Sequence, residues 1–267
     1  MDTMATKRGP YKYPRGQYQG NHVIWPGREG ALEKFVHQSY GGLGKHKLAN
    51  AHSTHSEDAL TWSSFDCLAQ VKQPVQEQAL REMWKLAYDG AVLPTGLSPA
   101  KIHVGHTYGT GRVKTEVDAS IEGPDVLVFI EAKLYSPMSQ SEPPAKPFNQ
   151  IARKLQIGVQ QAQATKRDFY FILLDLAPRD MLRTLRPGVS LDEATTAHGG
   201  GFKNKWLTAY WFDRYKSARG GSTTPMRKLL EDLPGADPAH VARNMGWLTW
   251  ADVLKVVLRA VIADRAA

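Results

Sequence analysis

The segment from Thr115 to Leu134 constrains the fold of this chain more than any other part of the sequence. It begins within the alternating stretch KTEVDASIE, turns at Gly123-Pro124, and continues as the nearly unbroken apolar run VLVFIEAKL. Alternation with a period of two predicts a strand with one covered face, whereas a continuous apolar run predicts a strand covered on both faces. The segment therefore predicts a β-hairpin whose second strand lies inside a sheet.

Charged residues lie on this hairpin where the apolar run stops. A two-residue turn at Gly123-Pro124 predicts that Asp118 lies opposite Phe129, with Glu131 diagonal to Asp118 on the same face. Lys133, two residues beyond Glu131, projects from that face as well. An aspartate, a glutamate and a lysine that meet at the edge of an apolar sheet can hold a divalent metal and support attack on a phosphodiester.

Two other acids on the hairpin are weaker candidates. The same turn predicts that Glu116 lies opposite Glu131, which makes Glu116 the reserve ligand if the turn register differs. Asp125 lies in the turn, and the six residues to Glu131 span about 20 Å of extended strand. We therefore expect Asp118, and not Asp125, to share an ion with Glu131.

The sequence around the hairpin predicts an α/β fold. A helix is expected from near Ser56, because cap-type residues and first-turn acids precede its apolar positions. A second helix opens near Pro74 and ends at Asp89-Gly90, and residues 91–111 read as a loop with a short strand at most. A further helix follows Phe148, and DFYFILLDLAP predicts another buried strand. The order helix, hairpin, helix, strand indicates a mixed central sheet.

We divide the chain into three regions on this basis. Residues 1–51 are an extended or partly ordered basic and aromatic arm, residues 52–180 form the core, and residues 181–267 are an elaboration packed on the core. In that last region we expect additional C-terminal helices, including one that covers the whole of NMGWLTWADVLKVVLRAVIADR.

Composition narrows the class of protein. The chain has 267 residues and a formal net charge of +8, so its partner is expected to be a polyanion such as nucleic acid, although a basic protein can also simply be soluble. The single cysteine, Cys67, permits neither a disulfide framework nor a thiolate zinc site. We see no signal-peptide pattern and no apolar run near the ~20 residues of a membrane span. We expect a soluble cytoplasmic protein without membrane association, and nothing in the sequence indicates a homo-oligomer.

Asp118, followed by Glu131-Ala132-Lys133 at the close of the next strand, resembles the PD-(D/E)XK nuclease superfamily, which has the restriction-endonuclease-like fold. The order helix, three strands, helix, strand resembles it as well, over roughly residues 55–177. The resemblance implies a restriction-endonuclease-like core and Mg²⁺ held by Asp118, Glu131 and the Ala132 carbonyl, with Mn²⁺ as a substitute.

The resemblance also implies roles for three further side chains. Lys133 would orient or deprotonate the attacking water, Glu57 would bind a second metal or a metal-bound water, and Gln150 would hold the phosphate or a ligand carboxylate. It implies a Mg²⁺-dependent nuclease whose expected substrate is DNA, in restriction, defence or repair.

Several plainer interpretations remain open at this stage. Glu131 and Lys133 could be an ordinary surface ion pair, Glu57 could serve only the helix dipole, and a Gln that opens a helix is common. The protein could be a catalytically inactive nucleic-acid-binding module with the same fold, or an unrelated α/β enzyme for a small anionic substrate.

The histidine pairs 52/55 and 103/106 are poor zinc candidates because no third ligand accompanies them. The basic aromatic stretch 203–219 fits nucleic-acid contact and core packing equally well.

Overall fold

The computed structural model describes residues 21–38, 47, 51, 56–110, 113–134, 150–176 and 235–266. Its strands are β1 (Lys101–Thr110), β2 (Val113–Glu122), β3 (Val126–Ala132), β4 (Asp168–Asp175) and β5 (Met245–Thr249). Its helices are α1 (Glu29–Val36), α2 (Glu57–Gln70), α3 (Gln73–Ala87), α4 (Gln150–Thr165), α5 (Pro238–Arg243) and α6 (Trp250–Ala266), with a 3-10 turn at Thr95–Leu97. None of these described helices is both long and apolar enough to cross a membrane.

The described strands form one mixed sheet in the order β1-β2-β3-β4-β5. The strands β1, β2 and β3 pair antiparallel, whereas β4 lies parallel to β3 and β5 lies parallel to β4. The parallel pairing of β3 and β4 requires a crossover, and the helix α4 lies between these two strands in the sequence. The chain is therefore an α/β protein, as the sequence predicted.

Helices cover both faces of this sheet. On one face, α4 and α5 pack against side chains such as Phe129, Phe171 and Trp247. On the other face, α2, α3 and α6 pack against side chains such as Val128 and Ile172. Every residue of β3 is buried, which confirms the prediction of a strand covered on both sides. The end of this strand is consequently a place where a charged side chain must find partners inside the protein.

The start of α2 agrees with the sequence. Ser56 is the N-cap residue, and its hydroxyl oxygen accepts a hydrogen bond from the backbone N–H of Ala59 at 3.1 Å. Glu57 and Asp58 follow in the first turn. The cap fixes where the helix begins and so directs Glu57 toward the end of β3.

The strand β1 corrects the prediction that residues 91–111 are a loop with a short strand at most. It has ten residues and pairs along its length with β2. Its apolar alternation is interrupted by Gly105, where φ is +63° and a Cβ atom would lie 2.8 Å from the Phe35 ring. The glycine permits the close approach of α1, and it also weakened the strand pattern in the sequence.

The C-terminal region corrects a second prediction. The apolar stretch from Asn244 was expected to be one helix, but Met245–Thr249 is the strand β5 and the helix begins at Trp250. A short apolar run fits either period, and pairing with β4 decides between them. Gly246 belongs to the strand because a Cβ atom there would lie 2.7 Å from the Tyr88 ring.

Part of the predicted N-terminal arm is helical. The helix α1 contributes Leu32 and Phe35 to a small cluster with Trp62 of α2, and the Phe35 and Trp62 rings are 4.9 Å apart. Residues 181–187, where one of the C-terminal helices is expected, lie outside the described residues, as do the stretch 203–219 and the histidine pair 52/55.

Cys67 is buried on α2, and this burial raises the pKa of its thiol to about 11. The side chain therefore fills space in the core, and its thiol has little tendency to ionise at neutral pH.

We predict that Gly158→Ala on α4 lowers the free energy of unfolding by about 1–3 kcal/mol. A Cβ atom at this position would lie 2.1 Å from the Phe169 ring, which is buried. This clash outweighs the gain of about 1 kcal/mol in helix propensity that alanine normally brings. Urea denaturation followed by circular dichroism measures the change. Gly30→Ala on α1 is the matched control, since a Cβ atom there meets nothing within 4 Å, and it should be neutral or slightly stabilising. Equal effects of the two substitutions would contradict the packing argument.

Candidate active site at the end of the hairpin

Asp118 and Glu131 lie at facing positions where the β2–β3 ladder ends. The last paired residues are Ala119 and Ile130, and one step further along both strands come Asp118 and Glu131. The Oδ2 atom of Asp118 accepts a hydrogen bond from the backbone N–H of Ala132 at 2.7 Å. The carboxylate of β2 therefore reaches across to the end of β3.

This register corrects the predicted one by two residues, because Phe129 pairs with Ser120 and not with Asp118. The backbone N–H of Gly123 donates to the Val126 carbonyl at 2.9 Å, so the turn has Pro124 and Asp125 at its centre. Gly123 itself packs on the 3-10 turn, where a Cβ atom would lie 2.3 Å from the carbonyl oxygen of Gly96. The corrected register places the two carboxylates opposite each other, a closer arrangement than the predicted diagonal.

A second lysine, which lies outside the predicted motif, joins the two carboxylates. The Lys154 ammonium on α4 donates a very short hydrogen bond to Oε2 of Glu131 and lies 3.6 Å from Oδ2 of Asp118. Lys154 is buried within the apolar stripe that contains Ile151 and Leu155. A lysine inside such a stripe was the signal that could have identified it, because a buried ammonium requires an acidic partner.

Glu131 is fully buried between two ammonium groups. Oε2 accepts the hydrogen bond from Lys154, and Oε1 lies 2.7 Å from Nζ of Lys133. That second contact is an ion pair without hydrogen-bond geometry, so Oε1 is a buried oxygen with no hydrogen bond. Each carboxylate oxygen of Glu131 therefore faces an ammonium group.

Lys133 is held from three directions. Its ammonium donates to the Ala132 carbonyl at 2.8 Å and to Oε1 of Glu57 at 3.3 Å, besides its ion pair with Glu131. Its own carbonyl oxygen accepts a hydrogen bond from Nε1 of Trp250 at 3.1 Å. Lys133 directly follows the end of β3, and these contacts fix its flexible side chain in position.

Comparisons with family models, with curated proteins and with solved structures found no match for this chain.

Glu57 lies at the site as a partner of Lys133. Besides its contact with that ammonium, its Oε2 atom accepts a hydrogen bond from the backbone N–H of Leu134 at 2.9 Å. The side chain thus ties the start of α2 to the end of β3. The contact with the Lys133 ammonium positions that side chain, and the expected role of Glu57 in binding a second metal or a metal-bound water stays a prediction.

Glu116, the predicted reserve ligand, is bound by another lysine. Its Oε1 atom lies 2.5 Å from Nζ of Lys47, which is also 3.5 Å from Oδ1 of Asp58 and 4.1 Å from the centre of the Phe35 ring. Lys47 is buried despite its charge. This flanking ion-pair cluster closes the α1 side of the hairpin end.

The charges around Asp118 determine its protonation state. Burial by itself would raise the pKa of this carboxyl group, but Lys154, Lys133, the backbone N–H of Ala132 and Lys47 together lower the pKa below its ordinary value. Asp118 is therefore a carboxylate at neutral pH. A carboxylate, and not a carboxylic acid, is the form that binds a cation.

The structure also describes Gln150 and the histidine pair 103/106. Gln150 is the first residue of α4 and precedes Lys154 by four residues, so the two side chains share one side of the helix. His103 and His106 lie on β1 and not in a loop, with ring centres 5.2 Å apart. Among the described residues, no group of three or more His, Cys, Asp or Glu side chains is arranged to hold a metal ion.

Three oxygen sources nevertheless converge at the end of the hairpin: the carboxylates of Asp118 and Glu131 and the carbonyl of Ala132. In formal charge, the carboxylates of Asp118, Glu131 and Glu57 outnumber the ammonium groups of Lys133 and Lys154. A group of hard oxygen atoms with excess negative charge suits a hard divalent cation. The arrangement also provides an ammonium group, that of Lys133, directly beside these oxygens.

Proposed function

We propose that this chain is a Mg²⁺-dependent nuclease that hydrolyses phosphodiester bonds, with DNA as its substrate. The observation that carries the proposal is the contact of one buried ammonium with the carboxylates of both Asp118 and Glu131. These carboxylates come from neighbouring strands, and a lysine follows the second one directly. A surface ion pair on a strand has none of this burial or convergence.

The order of the elements supports a restriction-endonuclease-like core of the PD-(D/E)XK superfamily. A helix, α2, precedes the three antiparallel strands, and α4 then leads into β4 parallel to β3. The acidic pair lies on β2 and at the end of β3, where the resemblance in sequence expects it. The strand β5 and the helices α1, α3, α5 and α6 are additions around that core.

The residues present fit Mg²⁺ by their chemistry. Asp118, Glu131 and the Ala132 carbonyl would supply oxygen ligands, and Oε1 of Glu131 is a buried acceptor without a hydrogen bond. When bound, the ion would lower the pKa of an attached water and stabilise the charge that develops on the phosphate. We assign Lys133 to orient the attacking water or offset phosphate charge through Nζ. Glu57 holds that ammonium in place.

Nucleic acid is the proposed substrate because the chain carries a formal net charge of +8. A basic protein attracts phosphate backbones irrespective of their sequence. Lys133 and Lys154 are buried and paired with acidic side chains, so the attraction for phosphate groups would come from basic residues outside the site.

We predict that the purified 267-residue chain cleaves DNA in the presence of Mg²⁺ or Mn²⁺ and that EDTA stops the reaction. Supercoiled plasmid, linear duplex, single-stranded DNA and single-stranded RNA are incubated separately and the products are resolved on gels. Nicking of the closed plasmid distinguishes internal cleavage from degradation at ends. An absence of cleavage with both metals on all four substrates would refute the proposal.

A second candidate is a nucleic-acid-binding module with this fold that does not catalyse. It is favoured by Lys154, whose ammonium already contacts both carboxylates, and by the absence of a three-ligand metal cluster among the described residues. This candidate predicts that DNA binding is the same in EDTA and in Mn²⁺ and that no substrate is cut. Calorimetric titration with Mn²⁺ separates the candidates further, since a nuclease site must bind the ion.

A further inference from the structure

We infer that Lys154 is an internal competitor of the metal ion: its ammonium occupies the position between Asp118 and Glu131, and a divalent cation binds there only by displacing it. The inference rests on the proposed function to the extent that both assign a metal to these two carboxylates. It goes beyond that function because it assigns a role to a helix lysine outside the Asp-Glu-Lys motif.

The position of Lys154 carries the argument. Its ammonium contacts one oxygen of each carboxylate, namely Oε2 of Glu131 and Oδ2 of Asp118. These are the same two carboxylates that a bridging metal ion would use. The side chain is buried, so its charge has been removed from water and depends on these acids for compensation. The ammonium is therefore a resident cation of the site.

Two cations cannot occupy this position together. A divalent ion between the carboxylates would lie within a few ångströms of the ammonium, and like charges repel strongly where water is excluded. The long, flexible stem of a lysine allows its head group to move while the α4 backbone stays in place. Binding of the metal and release of the Lys154 ammonium are consequently one coupled event.

Competition of this kind has two measurable consequences. The apparent affinity for the metal equals the intrinsic affinity multiplied by the fraction of molecules in which the ammonium has left the site. The metal-free protein also depends on Lys154 for stability, because without it two carboxylates remain close together and poorly compensated. Removing Lys154 should therefore tighten metal binding and make folding depend on the metal.

The test uses the 267-residue chain and the variant Lys154→Met, which keeps most of the length of the side chain without its charge. We expect Lys154→Met to bind Mn²⁺ about tenfold more tightly than the wild type by calorimetry. We also expect its melting temperature to be lower than that of the wild type in EDTA and to rise more on addition of Mn²⁺. Lys154→Gln, which retains a hydrogen-bond donor for Glu131, provides the same test if the methionine variant does not fold.

Two control variants test whether the changes in Mn²⁺ binding and melting temperature come from this site. Lys85→Met removes an exposed lysine from α3 and should leave both the Mn²⁺ affinity and the metal-induced rise in melting temperature unchanged. The double variant Asp118→Asn/Lys154→Met lacks one proposed ligand and should lose the metal-induced rise. Mn²⁺ binding by Lys154→Met that is no tighter than that of the wild type would overturn the inference.

Metal binding by Lys154→Met and DNA cleavage test the competitor role and the nuclease proposal separately. Tighter Mn²⁺ binding by Lys154→Met without DNA cleavage by either protein supports the competitor role and refutes the nuclease. DNA cleavage by the wild type with unchanged metal binding in Lys154→Met supports the nuclease and refutes the competitor role.

Discussion

Glu131→Gln is expected to lower the free energy of unfolding by about 3–5 kcal/mol, the cost of removing one partner from a buried ion pair. Glu131 is fully buried and lies between the ammonium groups of Lys133 and Lys154, both of which are also buried. Glutamine keeps the shape of the side chain but removes the charge that compensates these ammonium groups. Urea denaturation in EDTA, followed by circular dichroism and tryptophan fluorescence, measures the change.

A double-mutant cycle separates the charge pairing from packing. Combining Glu131→Gln with Lys154→Met removes both members of the pair, so the double variant should lose less stability than the sum of the two single losses. Glu82→Gln, which removes a more exposed partner of Arg259, is the matched control and should cost about 1 kcal/mol or less. If Glu131→Gln costs no more than Glu82→Gln, Glu131 does not hold the site together.

The sequence predicted those parts of the fold in which local pattern and tertiary structure agree. The β2–β3 hairpin and the buried strand β3 follow from periodicity, and α2 follows from its cap at Ser56. The strand β1 was underestimated because Gly105 interrupts its pattern to admit α1. The strand β5 was assigned to a helix because five residues are too few to reveal a period, and only pairing with β4 distinguishes the two structures.

The sequence predicted the main residues of the candidate site but not all of their neighbours. Glu131 and Lys133 could be selected because they follow an apolar run that must be buried, where charges need partners, and Asp118 because the hairpin brings it to the same end of the sheet. Their exact neighbours depended on the turn, and the contact of Gly123 with the 3-10 turn is a tertiary effect that shifted the register by two residues. Lys154 comes from a separate helix, so its approach to both carboxylates depends on how α4 docks.

Asp118→Asn should reduce the rate of DNA cleavage by at least about 10²–10³-fold, which is the range for loss of one group that stabilises transition-state charge. The substitution removes a proposed metal ligand that is a carboxylate at neutral pH. It should preserve the fold, because the amide oxygen of asparagine can still accept the hydrogen bond from the backbone N–H of Ala132. Cleavage rates are measured at saturating Mg²⁺, and again with Mn²⁺ to detect partial rescue.

Asp125→Asn is the matched control for this loss, since it makes the same chemical change at the other end of the hairpin, in the turn. It should leave the cleavage rate unchanged. Both variants should bind DNA in EDTA as well as the wild type does, because the affinity for phosphates comes from basic residues elsewhere in the chain. If Asp118→Asn cuts DNA at the wild-type rate, Asp118 is not a catalytic ligand. If Asp125→Asn loses as much activity as Asp118→Asn, the loss comes from damage to the hairpin and not from the metal site.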